Sequence, residues 1–253
     1  MARGWHAVLL ARRENRLRAL AEELGAEASL AMPPKRTRGP GPRVRVEYEV
    51  CDVGRREDVE RVAGAVIERH PLIALLVNNA GIPGRAGFTA IDPERLEQVL
   101  RVNYLGGVWC LRAFLPALEA AVRADVVNIV SVAGAVSFAP SGPYSASKHA
   151  QLAFSRAVTA ELRPRGIHVH TISPGFVETE GFPQATTLRN PLLRRVVVGP
   201  DHVARHVLKT IERDRRETFV PRWYRLAAVA QALAPGLVAR FSARSRCQPA
   251  NRA

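Results

Sequence analysis

Tyr144 and Lys148, four residues apart, are the two side chains in this sequence best placed for proton transfer. They follow a Gly142-Pro143 turn and open a segment with apolar periodicity, which predicts the first turns of a helix with both side chains on one face. A phenol has a reference pKa of about 10, and a nearby positive charge favours its anion. Tyr144 is therefore a candidate general acid and base. Taken alone, such a pair also fits a solvated helix face, and that alternative stays open at this point.

Ser131 stands thirteen positions before Tyr144, directly after the apolar run Val126–Val130. The run predicts a buried parallel strand with the serine hydroxyl at its carboxyl end. Ligands of open α/β sheets bind at that edge. The spacing therefore predicts that Ser131 faces a ligand.

Strand and helix patterns alternate along the chain. The strands are expected at 5–10, 44–50, 73–77, 126–130, 167–172 and 218–220, and the helices between them. This alternation predicts a single α/β domain with a mostly parallel sheet, for which 253 residues suffice. We expect the first helix to stop at Gly25, and a long helix over 93–121 to be interrupted at Gly106-Gly107.

The composition limits the partners. The net charge of +14 comes almost wholly from arginine, because Lys35, Lys148 and Lys209 are the only lysines. The arginines are interleaved with glutamates and no nucleic-acid-binding motif accompanies them, which argues against a nucleic-acid partner. A lysine at position 148 is thus not part of a lysine-rich background.

The three cysteines, Cys51, Cys110 and Cys247, are far apart and lack the spacing of metal ligands. Their number and spacing fit a reducing compartment, so we expect a cytoplasmic protein without a metal. No apolar run approaches the length of a membrane span.

The segment 223–253 is apolar and basic, and we treat it as a tail after a domain at 1–222. Three interpretations of 223–246 remain open: a helix packed on the core, a subunit contact, or an interfacial membrane anchor. The stretch 180–199, with two prolines and no clean period, predicts a mobile substrate loop.

Together these elements resemble the short-chain dehydrogenase/reductase family. The resemblance rests on the Tyr144/Lys148 pair, Ser131, the run Asn78-Asn79-Ala80-Gly81, and Pro174-Gly175. It implies a Rossmann-like doubly wound domain that binds a nicotinamide dinucleotide and moves a hydride between it and a carbonyl or alcohol. It also implies a homo-oligomer, assembled through the long helices that carry Asn103 and Tyr144.

The resemblance assigns roles to four residues. Tyr144 is the general acid in reduction and the base in oxidation, and Lys148 lowers its pKa while bonding the nicotinamide ribose. Ser131 bonds the substrate carbonyl oxygen, and Asn103 positions a water that connects Lys148 to solvent. By pattern alone Asn103 would be an exposed helix residue.

Arg12 and Arg13, at the end of the first predicted strand, bear on cofactor choice. A guanidinium there pairs with a ribose 2′-phosphate, so NADP(H) is favoured over NAD(H), unless the arginines only cap the strand. The other positions that resemble the cofactor-binding segments are Asp52, Val53, Asn79, Ala80, Gly81, Pro174, Gly175, Val177 and Thr179, together with Tyr144 and Lys148.

The sequence departs from the family at its start, where the first strand and the Thr-Gly-x-x-x-Gly-x-Gly turn are absent. The expected fold is therefore N-terminally truncated, with no strand linking 5–10 and 43–52 to 73–77. Two explanations stay open: a natural start upstream of Met1, or a cofactor-poor, non-catalytic interaction protein. In either case we expect the 253-residue chain alone to bind NADPH weakly, because that turn holds the pyrophosphate.

Overall fold

The computed structural model of the chain describes residues 5–30, 45–84, 89–137, 141–179 and 197–244. The predicted substrate loop falls outside these ranges except for its last three residues. All statements on structure below concern the described ranges.

The strands form parallel sheets. In the smaller one, β1 (Ala7–Ala11) pairs with β2 (Val46–Val50). The larger one has the order β3-β4-β5-β8, with β3 at Leu75–Asn78, β4 at Ala124–Ile129, β5 at Ile167–Pro174 and β8 at Glu217–Val220. A short pair, β6 (Phe176–Val177) and β7 (Val197–Val198), follows β5. Among the described residues, no strand joins β1 to β3.

Eight α-helices lie within the described part of the chain. They are α1 (Glu14–Leu30), α2 (Arg56–Arg69), α3 (Pro93–Leu100), α4 (Gly106–Glu119), α5 (Gly142–Leu162), α6 (Pro200–Glu212), α7 (Tyr224–Leu233) and α8 (Pro235–Arg244). The prediction that Gly25 ends the first helix is wrong. Ala26, Glu27 and Ala28 are strong helix formers, and they offset the roughly 1 kcal/mol cost of an internal glycine.

The predicted break at Gly106-Gly107 is misplaced. The irregularity lies just before the glycines, where Arg101–Leu105 form a π-helical turn between α3 and α4. The glycines serve packing instead, because a Cβ on Gly106 would lie only 2.9 Å from the carbonyl oxygen of Val53. The helix thus approaches the segment after β2 closely.

Helices cover both faces of the larger sheet. Ala124 and Val126 of β4 belong to a core shared with α2, α4 and α5, whereas Val127 packs in a second cluster with Ile172 and residues of α6. Because side chains alternate along a strand, each of the two faces is buried under its own helices. The fold is a Rossmann-like, doubly wound α/β domain.

The end of the described chain packs on this domain through one side. Tyr224 is 5% exposed and clusters with Val132, Val136 and Phe219. Other side chains of α7 and α8 point outward, among them Leu226 and Leu233. No helix within the described ranges is long and apolar enough to cross a bilayer.

Candidate active site

The site-forming segments meet because the parallel strands end at the same edge. Asn78, Asn128 and Thr171 are register partners across β3, β4 and β5. Asn79-Ala80-Gly81 follows β3, Ser131 follows β4, and Pro174 ends β5 with Gly175 directly after it, all within four residues of that row. The structure therefore brings these predicted residues to one edge of the sheet.

Lys148 is buried in the second turn of α5, with 3% of its surface exposed. Its Nζ donates to the carbonyl oxygen of Ile129 at 3.0 Å and to Oε1 of Gln151 at 2.7 Å. Nζ also lies 5.9 Å from the centre of the Tyr144 ring. Burial lowers the pKa of Lys148 to about 7. The amine thus lies near the Tyr144 ring, in a setting that disfavours its charge.

Asn103 lies in the π-helical turn and is 1% exposed, so the pattern-based expectation of an exposed residue is wrong. Its Oδ1 accepts from the Ile82 amide at 2.7 Å, and its Nδ2 donates to the Ile82 carbonyl and to Ser147 Oγ, each at 3.0 Å. Ser147 Oγ in turn donates to the Tyr144 carbonyl at 2.7 Å. Asn103 therefore ties the turn after β3 to the first turn of α5. Such π-helical turns are frequent at functional sites.

Gly81 lies between these two groups. A Cβ at this position would be 3.5 Å from Asn103 Oδ1 and 3.8 Å from Lys148 Nζ. Asn79 and Ala80 beside it are exposed. The turn after β3 therefore presents accessible backbone next to the buried lysine.

Ser131 sits at the end of β4 and is 8% exposed. Its Oγ accepts from the Ala133 amide at 3.1 Å and donates to the Pro174 carbonyl at 3.5 Å. The serine begins a short 3₁₀ turn, Val132–Gly134, which packs against α5. A Cβ on Gly134 would lie 2.7 Å from the Lys148 carbonyl oxygen, so this turn lies directly against the catalytic helix candidate.

Gly175 makes room for the end of the described chain. A Cβ there would lie 2.1 Å from the Tyr224 ring, so any other residue would displace that ring. Pro174 is buried, whereas Val177 and Thr179 are half-buried. The sequence indicated Gly175 only as part of a cofactor-side turn. Its contact with Tyr224 was not predictable from the residues around it, because Tyr224 is distant in sequence.

The other predicted cofactor positions lie along the smaller sheet. Arg12 and Arg13, which follow β1, are exposed. Asp52 follows β2 and is half-buried; its Oδ1 accepts from the Gly54 amide at 2.9 Å. Val53 packs against Gly106 at the start of α4. Among the described residues, no contact joins Arg12 or Arg13 to Lys148.

A buried row of polar side chains beneath the site was not predicted. Asn78 Nδ2 donates to Asn128 Oδ1 at 2.9 Å, and Asn128 Nδ2 donates to Ser155 Oγ at 2.9 Å. Ser155 Oγ and Thr171 Oγ1 are 2.7 Å apart. The row fixes α5 against three strands, because every bond in it is made away from water. The sequence pattern that could have predicted this row is a polar residue near the carboxyl end of each of three adjacent strands.

The buried cysteines offer no competing nucleophile. Burial raises the pKa of Cys51 to about 11 and that of Cys110 to about 12. Both thiols therefore stay protonated near neutral pH, and Cys247 lies outside the described residues.

Chemically, the edge combines a phenol, a buried amine, a hydroxyl and an anchored amide. Lys148 has three N–H groups when charged and two protein acceptors among the described residues, which leaves one for a ligand. The exposed turn at Asn79 and Ala80 gives a ligand access from solvent. In this respect the residues present fit a polar, hydroxyl-bearing group such as a ribose.

Comparison with known proteins agrees with this geometry. A family model described as "short chain dehydrogenase" matches residues 1–189. Dehydrogenase/reductase SDR family member 7B of Xenopus laevis is 33% identical over 248 residues, covering 93% of this chain and 72% of that protein. The chain belongs to the short-chain dehydrogenase family.

Two further matches show how similar the chain is to known proteins in sequence and in structure. Mouse epidermal retinol dehydrogenase 2 is 29% identical over 194 residues, and the alignment spans 62% of that protein and 76% of this chain. A short-chain dehydrogenase from Sphingobium yanoikuyae, solved in complex with NADPH, is 28% identical with a TM-score of 0.74. That match covers 100% of this chain and 91% of the solved one.

Proposed function

We propose that the protein is an oxidoreductase that transfers a hydride between NADP(H) and a carbonyl or alcohol substrate of hydrophobic character. The observation that carries the proposal is that Asn103, from the π-helical turn, meets Tyr144 and Lys148 of α5 at the carboxyl edge of the parallel strands. Family membership and the NADPH-bound relative support a nicotinamide cofactor.

In this proposal the dinucleotide, when bound, supplies or accepts the hydride. Tyr144 donates a proton to the carbonyl oxygen in reduction and takes it back in oxidation. The Lys148 ammonium favours the ionised phenol and uses its remaining N–H to hold the nicotinamide ribose. Ser131 donates a hydrogen bond to the substrate oxygen, where negative charge develops. Asn103 positions the water that links Lys148 to solvent.

The cofactor contacts of the proposal follow the strand order. Arg12 and Arg13 hold the 2′-phosphate, which makes NADP(H) the preferred form. Asp52 and Val53 lie at the adenine, Asn79, Ala80 and Gly81 on the ribose side, and Pro174, Gly175, Val177 and Thr179 near the nicotinamide. Replacing Arg12 and Arg13 by serine should raise the Kd for NADPH and leave that for NADH unchanged; equal changes for both would remove the assignment.

The activity is tested by Tyr144→Phe, with Tyr104→Phe as a matched control. Tyr104 makes an edge-to-face contact with Phe154 away from Lys148. With a panel of hydrophobic aldehydes and ketones and saturating NADPH, we expect Tyr144→Phe to lose about 10³-fold in kcat/KM or more, and Tyr104→Phe to keep it. NADPH oxidation that is equally fast in both variants would refute the role of Tyr144.

The alternative proposal is a non-catalytic interaction protein of the same fold. No turnover with any panel member at saturating NADPH would favour it, whereas Tyr144-dependent turnover would exclude it. Weak NADPH binding by the 253-residue chain remains our expectation, and micromolar or tighter binding in a fluorescence titration would contradict it.

The proposal includes three further predictions, on domain organisation, assembly and location. The chain divides into a domain at 1–222 and a tail at 223–253, it assembles as a homo-oligomer through the long helices, and it works in the cytoplasm. Sedimentation equilibrium checks the assembly, and fractionation of cells checks the location.

A peripheral membrane contact through 223–246 is a second candidate property, favoured by a specific surface. Leu226, Leu233 and Leu237 are 71%, 81% and 57% exposed on α7 and α8. No acidic residue follows Glu217, and the same stretch carries Arg222, Arg225, Arg240 and Arg244. Exposed leucines among arginines suit an anionic lipid surface.

The membrane contact is tested by sedimentation with phosphatidylserine-containing vesicles at low salt. We expect binding that is lost in a Leu226→Asp, Leu233→Asp double variant and retained in Leu208→Asp, a half-exposed leucine of α6. Absence of binding by the unmodified protein at low salt would remove this property.

A further inference from the structure

Gln151 is a buried polar residue that directly contacts the proposed catalytic lysine. It lies three positions after Lys148 on α5, so the two side chains are neighbours on one helix face. Gln151 is 3% exposed, and its Oε1 accepts from Lys148 Nζ at 2.7 Å. This is the shorter of the two hydrogen bonds that the described protein makes to that amine.

The surroundings of Nζ contain no negative charge in the described ranges. The carbonyl of Ile129 comes from β4, the amide of Gln151 from α5, and the amide of Asn103 faces the same Gly81 backbone from the π-helical turn. The titratable group that faces the amine is Tyr144, from the same helix. Burial is the cause of the shift in the pKa of Lys148, and the shift is downward. The charge therefore depends on neutral dipoles.

A polar side chain at this depth requires a reason. A leucine of similar length would bury apolar surface at position 151, as Leu152 does beside it. A hydrogen bond to a charged group is stronger than one between neutral groups, and it favours that charge. Gln151 thus offsets part of the cost of burying the ammonium.

We propose that Gln151 is a positioning residue that keeps the Lys148 side chain charged and orients its remaining N–H toward the bound cofactor. The inference rests on the proposed function for the cofactor, but the effect of Gln151 on the amine is a property of the protein alone. With Ile129 it fixes two of the three N–H directions, so that the third is aimed rather than free to rotate.

The chain allows a direct test because Lys148 is one of only three lysines. Lysine labelled with ¹³C gives three Cε signals by NMR, and Lys35→Arg and Lys209→Arg assign them. The Lys148 titration is then followed from pH 5 to 11 in the unmodified protein and in Gln151→Leu, Gln151→Glu and the exposed control Gln98→Leu.

In Gln151→Leu we expect the Lys148 midpoint to fall by about 1 pH unit or more, because an acceptor for the charged form is lost. In Gln151→Glu we expect it to rise by about 1 unit or more, since a carboxylate favours the ammonium. Gln98→Leu should leave it unchanged. A midpoint that stays constant in both Gln151 variants would overturn the proposal. If one variant fails to fold, the other decides.

Addition of NADPH separates this inference from the proposed function. A shift of the Lys148 signal on titration with NADPH in the unmodified protein, reduced in Gln151→Leu, supports the orienting role. If NADPH moves no lysine signal while the midpoints still change in the Gln151 variants, the charge-holding role stands and the cofactor placement falls. Where turnover is found, the pH profile of kcat/KM should move with the Lys148 midpoint.

Discussion

The two ends of the larger sheet hold buried charge in opposite ways. At the carboxyl end, the Lys148 amine faces a carbonyl and an amide and has no counter-ion among the described residues. At the amino end, Asp125 of β4 faces two groups that can carry positive charge, Arg123 at 3.0 Å and His170 at 2.8 Å. The carboxyl end thus holds an amine without a counter-ion among the described residues, and the amino end holds a carboxylate paired with basic side chains.

The network at the amino end includes a second carboxylate. Asp214 accepts two hydrogen bonds from Arg163, at 3.1 and 2.6 Å, and one from the His168 ring at 2.7 Å. The Arg163 bonds hold the pKa of Asp214 well below its usual range. Burial alone would raise the pKa of Asp125, but the bonds from His170 and Arg123 keep it lowered.

The difference shows which end is free to do chemistry. The carboxylates of the amino end have their partners within the chain, so that end contributes to stability and offers little to a ligand. Desolvation lowers the pKa of the lysine at the carboxyl end, and its amine keeps one N–H donor for a ligand. Perturbed, incompletely satisfied charges are typical of functional sites.

The largest expected effect on stability is that of Asp125→Ala. It removes the carboxylate from Nε2 of His170, a ring that is 1% exposed, so a buried ring nitrogen loses its partner while Nδ1 keeps the Arg215 carbonyl. We expect the free energy of unfolding to fall by about 3–5 kcal/mol. Urea unfolding measures it, with Asp201→Ala in the exposed first turn of α6 as control. A loss no larger than the control's would end the view of the amino end as a stabilising network.

Lys148→Met tests the cost of the unpaired cation. The pKa of Lys148 is lowered to about 7 in the folded protein from an ordinary 10.5, so the unfolded chain binds more protons between these values. The unmodified protein should therefore gain stability relative to Lys148→Met as pH rises from 7 to 10, by up to about 1.4 kcal/mol per pH unit. Parallel stability curves for the two proteins would show that burial does not perturb the amine.

Asp214→Asn tests a carboxylate whose charged form stabilises the fold. A lowered pKa means that the carboxylate stabilises the fold above its ordinary value of 3.8, and that this stability is lost as pH falls below it. At pH 7 we expect Asp214→Asn to cost about 1 kcal/mol, because the partly exposed pair is screened by solvent. Thermal unfolding of the two proteins should converge between pH 5 and 2. A constant gap over that range would contradict the assignment.

The smallest effect is expected for Arg156→Ala, which lies outside both regions. Arg156 makes two 2.9 Å bonds to Glu217, but its side chain is 58% exposed. We expect a loss of about 0.5 kcal/mol, falling further in 0.5 M salt. A loss approaching that of Asp125→Ala would mean that burial does not distinguish the two ion pairs.

Local patterns predicted much of the fold. The apolar run before Ser131 corresponds to β4, the helix expected between the strands at 44–50 and 73–77 corresponds to α2, and the segment after Pro143 corresponds to α5. These elements were predictable because apolar periodicity reports burial directly. Helix ends were less so: Gly25 lies inside α1, because its neighbours favour the helix.

The site was predictable only in part. Tyr144, Lys148 and Ser131 carry spacing signals, and the register of parallel strands brings their segments to one edge. Asn103 had no favourable local signal, since its burial depends on a π-helical turn and on Ile82 from another segment. Gln151 carried none either, because its bond to Lys148 matters only once that amine is buried.

The sequence by itself determined the alternation of strands and helices and the family, and it indicated the pair that we propose for proton transfer, because these depend on side-chain type and on short, regular spacings. The tertiary structure decided which of the polar side chains are buried away from solvent. Burial comes from distant segments packing together. It places the Lys148 amine among neutral dipoles and lowers its pKa, whereas the carboxylates of Asp125 and Asp214 at the opposite end are paired with arginine and histidine side chains.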